Sequence, residues 1–192
     1  MKRDYVSRYE ISPNAGLAVI ASEDQLFTDH KGFDWRSIQR AIEKNRKKRG
    51  RIAGASTISQ QTAKNVFLWQ QRNWLRKGLE VYFTFMIEHI WGKERILEVY
   101  LNVVEMGKGI FGIEAASQQF FNKPASRLSK SEAAMIAASL PNPRKYSVKP
   151  LSRFVSVRYR WVLQQMNNLQ ADEDIKQVLP GPRQEVKKLP AN

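Results

Sequence analysis

Apolar residues recur along most of this chain at the three-to-four spacing of helices, with no sustained alternation of the kind strands produce. The clearest segment covers residues 74–91, where Leu75, Leu79, Tyr82, Phe83, Met86, Ile87 and Ile90 follow an i, i+4, i+7, i+8 pattern. That spacing predicts a helix with a buried apolar stripe. Gly92 closes it, and a further helix is predicted over 93–102. Upstream, a first helix is predicted over 14–25, entered after Ser12-Pro13, with Leu17, Ile20 and Ala21 on one face. A second covers 34–45, where Asp34 is a natural N-cap and Trp35, Ile38 and Ile42 repeat at helical spacing. Residues 46–56 are basic and contain Gly, which reads as a mobile loop; 57–67 then reads as a short helix after Ser56. Gly107, Gly109 and Gly112 form a turn region before a helix over 113–121. Ser129 caps a helix that Pro141-Asn142-Pro143 stops, and a last helix is expected over 151–169. Pro180, Pro182 and Pro190 mark residues 171–192 as a tail, expected to be partly disordered. No strand pair and no repeat is read. The expected architecture is all-α, with the folded domain in residues 1–170.

A length of 192 residues fits one domain, or one domain with a small appended lobe. With 42% hydrophobic and 10% aromatic residues, disorder is a poor overall reading. Charge changes the picture more. Lys and Arg number 32 against 18 acidic residues, a net +14, which implies an anionic partner: nucleic acid, anionic lipid or a phosphate-bearing substrate. Charge alone does not choose among them. The absence of Cys excludes disulfides and thiolate metal sites, and His30 and His89 are too few for a multi-histidine metal site. No run reaches the ~18 apolar residues of a membrane span. The start, Met1-Lys2-Arg3-Asp4-Tyr5, lacks the apolar core of a signal peptide. The chain as it stands is expected to be soluble or peripheral, with any membrane anchor absent from it.

Four clusters carry candidate chemistry. In the first, residues 23–32, Glu23 and Asp24 stand at the predicted end of the first helix beside Phe27, His30 and Gly32. A helix C-terminus disfavours negative charge and tends to raise carboxyl pKa values, which suits a general base for a sugar hydroxyl. The competing interpretation is a solvated helix end. In the second, residues 54–65, a Gly turn enters a Ser56/Thr57-capped helix carrying Gln60, Gln61, Lys64 and Asn65. Its N-terminal amides would suit an anion, with Lys64 as an added point charge; an ordinary capped helix has the same features. In the third, Arg76 and Lys77 precede Glu80 by four and three residues on one helix face, with Arg72 nearby. This is either a routine surface ion pair or a carboxylate set beside cations that grip pyrophosphate. The fourth, residues 93–102, has Ile96, Leu97, Tyr100 and Leu101 at core spacing and reads as a supporting helix.

Taken together these clusters resemble, in order, the motifs of family 51 glycosyltransferases, the transglycosylase domains of penicillin-binding proteins and monofunctional transglycosylases. The first is similar to E-D-x-x-F-x-x-H-x-G, the second to G-x-S-T-I-x-Q-Q-x-x-K-N, the third to R-K-x-x-E, the fourth to K-x-x-I-L-x-x-Y-L-N, fixing more than twenty positions. A fifth motif, R-R-x-x-V-L, is met by Arg158, Val162 and Leu163, with Tyr159 at the place of its second Arg. The resemblance covers residues 13–169 and implies a lysozyme-like, all-α fold with a larger lobe and a smaller, flexible, membrane-facing lobe. It implies polymerisation of lipid II into β-1,4-linked glycan strands, with inversion and release of undecaprenyl pyrophosphate. Carried over, Glu23 is the base and Glu80 positions the acceptor or a pyrophosphate-bound cation. Lys64, Arg72, Arg76, Lys77 and Arg158 offset phosphate charge. Asp24, Phe27, His30, Ser56, Thr57, Gln60, Gln61 and Asn65 complete the substrate-binding set. No metal site and no obligatory cofactor are implied; magnesium or manganese assists some members. Implied partners are lipid II, the growing strand, an anionic membrane surface and cell-division or cell-wall synthesis proteins, at the periplasmic face of a bacterial inner membrane. Arg36, Arg40, Lys44, Arg46, Lys47, Lys48, Arg49 and Arg51 would then face anionic lipid.

Two rivals remain at this level. A lysozyme-like hydrolase could use one Glu on such a scaffold, but has no need of an anion site or Lys64. A nucleic-acid-binding module would explain +14, but not an acid at the centre of its cleft.

Overall fold

The computed structural model of the protein describes residues 2–47, 56–69, 71 and 73–182. Among them, helices run in the order α1 (Pro13–Glu23), α2 (Trp35–Lys47), α3 (Ile58–Phe67), α4 (Trp74–Ile90), α5 (Gly92–Val103), α6 (Ile113–Phe121), α7 (Lys130–Ser139), α8 (Arg153–Leu169) and α9 (Glu173–Val178). The chain is all-α and lysozyme-like, as expected, apart from one small sheet. In that sheet β1 (Lys2–Arg3), β2 (Glu105–Gly107) and β3 (Ile110–Phe111) are ordered β1-β3-β2, parallel between β1 and β3 and antiparallel between β3 and β2. The expectation of no strand pair is thereby corrected. Strands of two or three residues are too short to display the alternation by which a strand is read from sequence.

The first helix is the axis of the core. Ser12 caps it through Asn14 N–H, Pro13 opens it, and all of Ala15, Gly16, Leu17, Ala18, Val19, Ile20 and Ala21 are buried. A helix apolar on every side must be enclosed on every side. Helices α7 and α8 cover α1, α7 through Ala133, Ala134, Ile136, Ala137 and Ala138, whose small side chains let the two axes approach closely. Next to them α5 buries Ile96, Leu97, Val99, Tyr100 and Leu101, and α3 packs between α4 and α5. The reading of residues 93–102 as a supporting helix holds.

Two expectations are refined here. The predicted apolar stripe of α4 is only partly buried: Ile87 is in the core and Phe83 packs against it, whereas Leu75, Tyr82 and Ile90 are exposed, along with Trp74 at 92% and Phe85, and the other buried residues of the helix are Glu80 and Thr84. Periodicity identifies a face but not what covers it, and here polar residues share the face that meets the core. Residues 171–182 are packed, not loose. Asp172 caps α9 through the amides of Asp174 and Ile175, and Ile175 is buried. Leu179 O accepts from Arg8 Nη2 at 2.9 Å, and Gly181 N donates to Arg8 O. Gly16 permits this closure, since a Cβ there would stand 2.5 Å from the Pro180 ring. Residues 183–192 lie outside the described residues.

The N-terminal segment is held by side chains of α5: Glu94 and Glu98 accept from Arg8, Arg95 donates to the Tyr5 hydroxyl, and Asn102 brackets Val6. Asn102, fully buried, accepts from Val6 N–H at 2.9 Å and donates to Val6 O at 3.0 Å and Glu98 O at 2.9 Å. Asn102→Ala leaves both polar groups of Val6 without these partners and is expected to cost about 2–3 kcal/mol in urea unfolding.

Candidate active site

The site begins where α1 stops. Asp24 leaves helical geometry, and its buried carboxylate accepts from Ile58 N–H at the start of α3 and from His30 Nε2, each at 2.9 Å. His30 Nδ1 accepts from Gly32 N–H at 3.2 Å, so the proton it gives Asp24 lies on Nε2. Thr57 donates its hydroxyl to Gly32 O at 2.7 Å and caps α3 in a reciprocal box with Gln60. Gly32 sits at φ +86°, and a Cβ there would stand 2.8 Å from Thr84. This mesh locks the end of α1 against the start of α3, and so brings Gln61 to Glu23.

Gln61 Nε2 donates to Glu23 Oε2 at 3.1 Å, while Gln61 Oε1 accepts from the hydroxyl of Tyr100, in α5, at 3.3 Å. Ser22 Oγ donates to Glu23 Oε1 at 3.3 Å. Arg158 of α8 donates to Ser22 O at 3.3 Å and lies over the Trp161 ring. Burial raises the Glu23 pKa; hydrogen bonds from Gln61 and Ser22 and the charge of Arg158 offset part of that, and Asp24 adds to it. The helix end that motivated the expectation is thus secondary to burial. Burial, followed by the charges of Glu23 and Asp24, holds the Tyr100 phenol well above 10.

Around Glu23 lies a cleft of about 710 Å³. One wall is Ser22, Glu23 and Asp24; a second is Ser56, Thr57 and Gln61; Arg158 and Pro141 close a third side. The fourth wall, Asp34, Ser37 and Arg40 at the start of α2, was not in the sequence-derived site. Asp34 was expected as an N-cap, which it is, accepting from Ser37 N–H at 2.9 Å. Its pKa is lowered: burial opposes this, but the Ser37 hydrogen bonds and the charges of His30 and Arg40 prevail. Arg40, expected at a membrane surface, donates to Ser37 Oγ and lines the cleft. Polar positions at three-residue intervals from the Asp34 cap were the available signal, because that spacing keeps them on one helix face.

Other expected site residues have different surroundings. Phe27 is completely enclosed, edge-on to His30 and beneath Lys93 Nζ, so a substrate contact there is corrected to a packing role. His30 and Gln60 are likewise engaged in the mesh. Two of the α3 amides offered to a phosphate are already taken: Ile58 N–H by Asp24 and Gln60 N–H by Thr57. Lys64 and Asn65 lie farther along α3, outside the cleft lining. Glu80 is buried on α4, where Lys77 Nζ reaches Oε1 at 2.6 Å and Arg76 Nη1 reaches Oε2 at 3.3 Å. Each Glu80 oxygen is thus engaged by a cation, and no group of three candidate metal ligands occurs among the described residues. Arg72, with Lys48, Arg49 and Arg51 of the basic loop, lies outside the described residues.

Comparison with known proteins places these features. The family profile described as Transglycosylase matches residues 1–167. A biosynthetic peptidoglycan transglycosylase of Escherichia coli (strain ATCC 8739) is 55% identical over 174 residues, covering 91% of this chain and 72% of that protein. Proteins of the same name from Cronobacter sakazakii and Salmonella enteritidis are 59% and 57% identical over 166 residues, 86% of this chain and 68% and 69% of theirs.

Because the folded-state pKa of Glu23 is raised, its protonated form is the one the fold favours. That stability is fully present below the unfolded-state pKa and is lost as pH rises through the folded one. Glu23→Gln removes the ionised carboxylate and is expected to raise the melting temperature at neutral pH by about 3 °C, with the gain vanishing in acid. Thermal melts across pH check this.

Proposed function

The chain belongs to the transglycosylase family, and we propose that it polymerises lipid II into β-1,4-linked peptidoglycan strands, with Glu23 as the general base. The observation that carries this reading is Glu23 itself: a carboxyl of raised pKa, opening onto a large cleft, held by Gln61 and Ser22 and faced by Arg158. The acceptor 4-hydroxyl oxygen attacks the donor anomeric carbon as its proton passes to Glu23. The bond from that carbon to the pyrophosphate oxygen breaks, and the electron pair leaves with undecaprenyl pyrophosphate. Attack opposite the leaving group turns the α-linkage into a β-1,4 bond.

A departing pyrophosphate needs positive charge, and with two of the first α3 amides occupied that charge comes chiefly from side chains. Arg158 and Arg40 flank the cleft; Lys64 and the Arg76–Lys77 pair lie beyond it, with Glu80 holding the latter two in place. With Thr57 and both ends of the Gln61 amide already engaged, Ser56 and Asn65 are the polar groups of this set left to contact sugar or phosphate. No cofactor is obligatory in this scheme.

The same reading puts the enzyme at the outer face of the bacterial inner membrane, where a lipid-linked substrate is presented. Supporting it are the net charge of +14 and the exposed apolar side chains of Trp74, Leu75, Tyr82, Phe85 and Ile90 on α4 and of Trp35 and Ile42 on α2. No helix among the described residues is long and apolar enough to cross a membrane.

Labelled lipid II in detergent, with products resolved by size, tests the assignment. Polymer is expected from the purified chain. Glu23→Gln should reduce its formation by about 1,000-fold or more with the fold retained, and Arg158→Ala by about 100-fold. Full activity in Glu23→Gln, or cleavage of finished peptidoglycan in place of polymer, would overturn it.

A further inference from the structure

The Tyr100 hydroxyl lies out of reach of any substrate, yet it is one hydrogen bond removed from the residue beside Glu23. We propose that Tyr100 is a positioning residue for the polymerisation reaction: it fixes the Gln61 amide with its NH2 toward Glu23, and so holds that carboxyl in its proton-accepting form. This rests on Glu23 being the base.

Tyr100 is 0% exposed, and a buried phenol must find a hydrogen-bond partner. Among the described residues that partner is Gln61 Oε1, at 3.3 Å. At the other end of the same amide, Nε2 is 3.1 Å from Glu23 Oε2. The two neighbours make separate demands. A carboxylate only accepts, so it needs the NH2; the hydroxyl hydrogen needs an acceptor, so it needs the carbonyl. One orientation of Gln61 meets both. The flipped amide would set its carbonyl against the carboxylate, which is tolerable only when Glu23 carries a proton. It would also leave the Tyr100 hydrogen without its acceptor in a site with no access to water. Tyr100 therefore opposes protonation of Glu23 through Gln61. Burial keeps the phenol protonated throughout the working range, so the donor is always present.

The other groups facing Glu23 act independently of Tyr100. Asp24 at the end of α1 pushes its pKa up, Arg158 from α8 pulls it down, Ser22 donates to it, and Asp34, just before α2, and Arg40 within it line the same cleft. None of these bonds to Tyr100. Gln60 and Gln61, adjacent in sequence, thus do different work: one caps α3, the other links α5 to the base.

The test compares Tyr100→Phe, which keeps the ring and removes only the hydroxyl, with the unmodified chain. Polymerisation is measured against pH, and the Glu23 carboxyl is titrated by 13C NMR, assigned by its disappearance in Glu23→Gln. The acid limb of the kcat profile and the Glu23 titration should both move to higher pH. At neutral pH kcat should fall about tenfold with KM unchanged. Gln61→Met should reproduce the titration shift, and adding Tyr100→Phe to it should cause no further loss, since the tyrosine acts only through the glutamine. A Glu23 titration that is unchanged in Tyr100→Phe, or losses that multiply in the double variant, would overturn the link. Should Tyr100→Phe lose its near-UV circular dichroism, an unchanged titration in Gln61→Met overturns it alone. Retained polymerisation in Glu23→Gln would instead remove the base assignment, a separate outcome.

Discussion

Asp24 accepts hydrogen bonds from Ile58 N–H and His30 Nε2, and the catalytic geometry hangs on that pair of contacts. A carboxylate at the first amides of α3 satisfies donors the helix cannot satisfy itself and lies at the positive end of its dipole. It also fixes the distance between the end of α1 and the start of α3, elements more than thirty residues apart in sequence. Glu23 is the residue before Asp24, and Gln61 lies one turn into α3. Their 3.1 Å contact is a consequence of the Asp24 anchor more than a cause of the packing. The His30–Gly32–Thr57 mesh stiffens the same joint from outside.

Much of the scaffold was legible in the sequence because its signals are local. The helix over 113–121 has the boundaries its glycines and aromatics suggest, and Asp34 and Ser129 cap where they were expected to. What was not legible depends on neighbours distant in sequence. Spacing showed that α4 has an apolar face, but the face that meets α3 and α5 carries Glu80 and Thr84. The Ser56–Thr57 helix start reads from sequence as an open anion cradle, whereas in the fold Asp24 and Thr57 occupy two of its amides. The cleft wall of Asp34, Ser37 and Arg40 was hidden for the same reason: Asp34 was fully accounted for as a cap, and Arg40 as one cation among many.

Glu23 owes its raised pKa first to burial, and burial of a carboxylate destabilises the fold unless donors compensate. The compensation here is partial. Gln61 and Ser22 are neutral donors, and Arg158 acts on the carboxylate by its charge while donating to Ser22. Tight ion pairing would make Glu23 a poor base, whereas no donors at all would leave it protonated. The intermediate arrangement suits proton transfer from a sugar hydroxyl at neutral pH.

Glu80 shows the opposite solution with the same side chain. It too is buried, but Lys77 and Arg76 each take one of its oxygens. A carboxylate so bracketed holds two cations in place. The two buried glutamates are thus set apart by what surrounds them: neutral donors and a cleft for Glu23, two full charges for Glu80. Cations tied to Glu80 are oriented but half neutralised, whereas Arg158 and Arg40 border the cleft itself, donating to Ser22 and Ser37 while their charges act on Glu23 and Asp34.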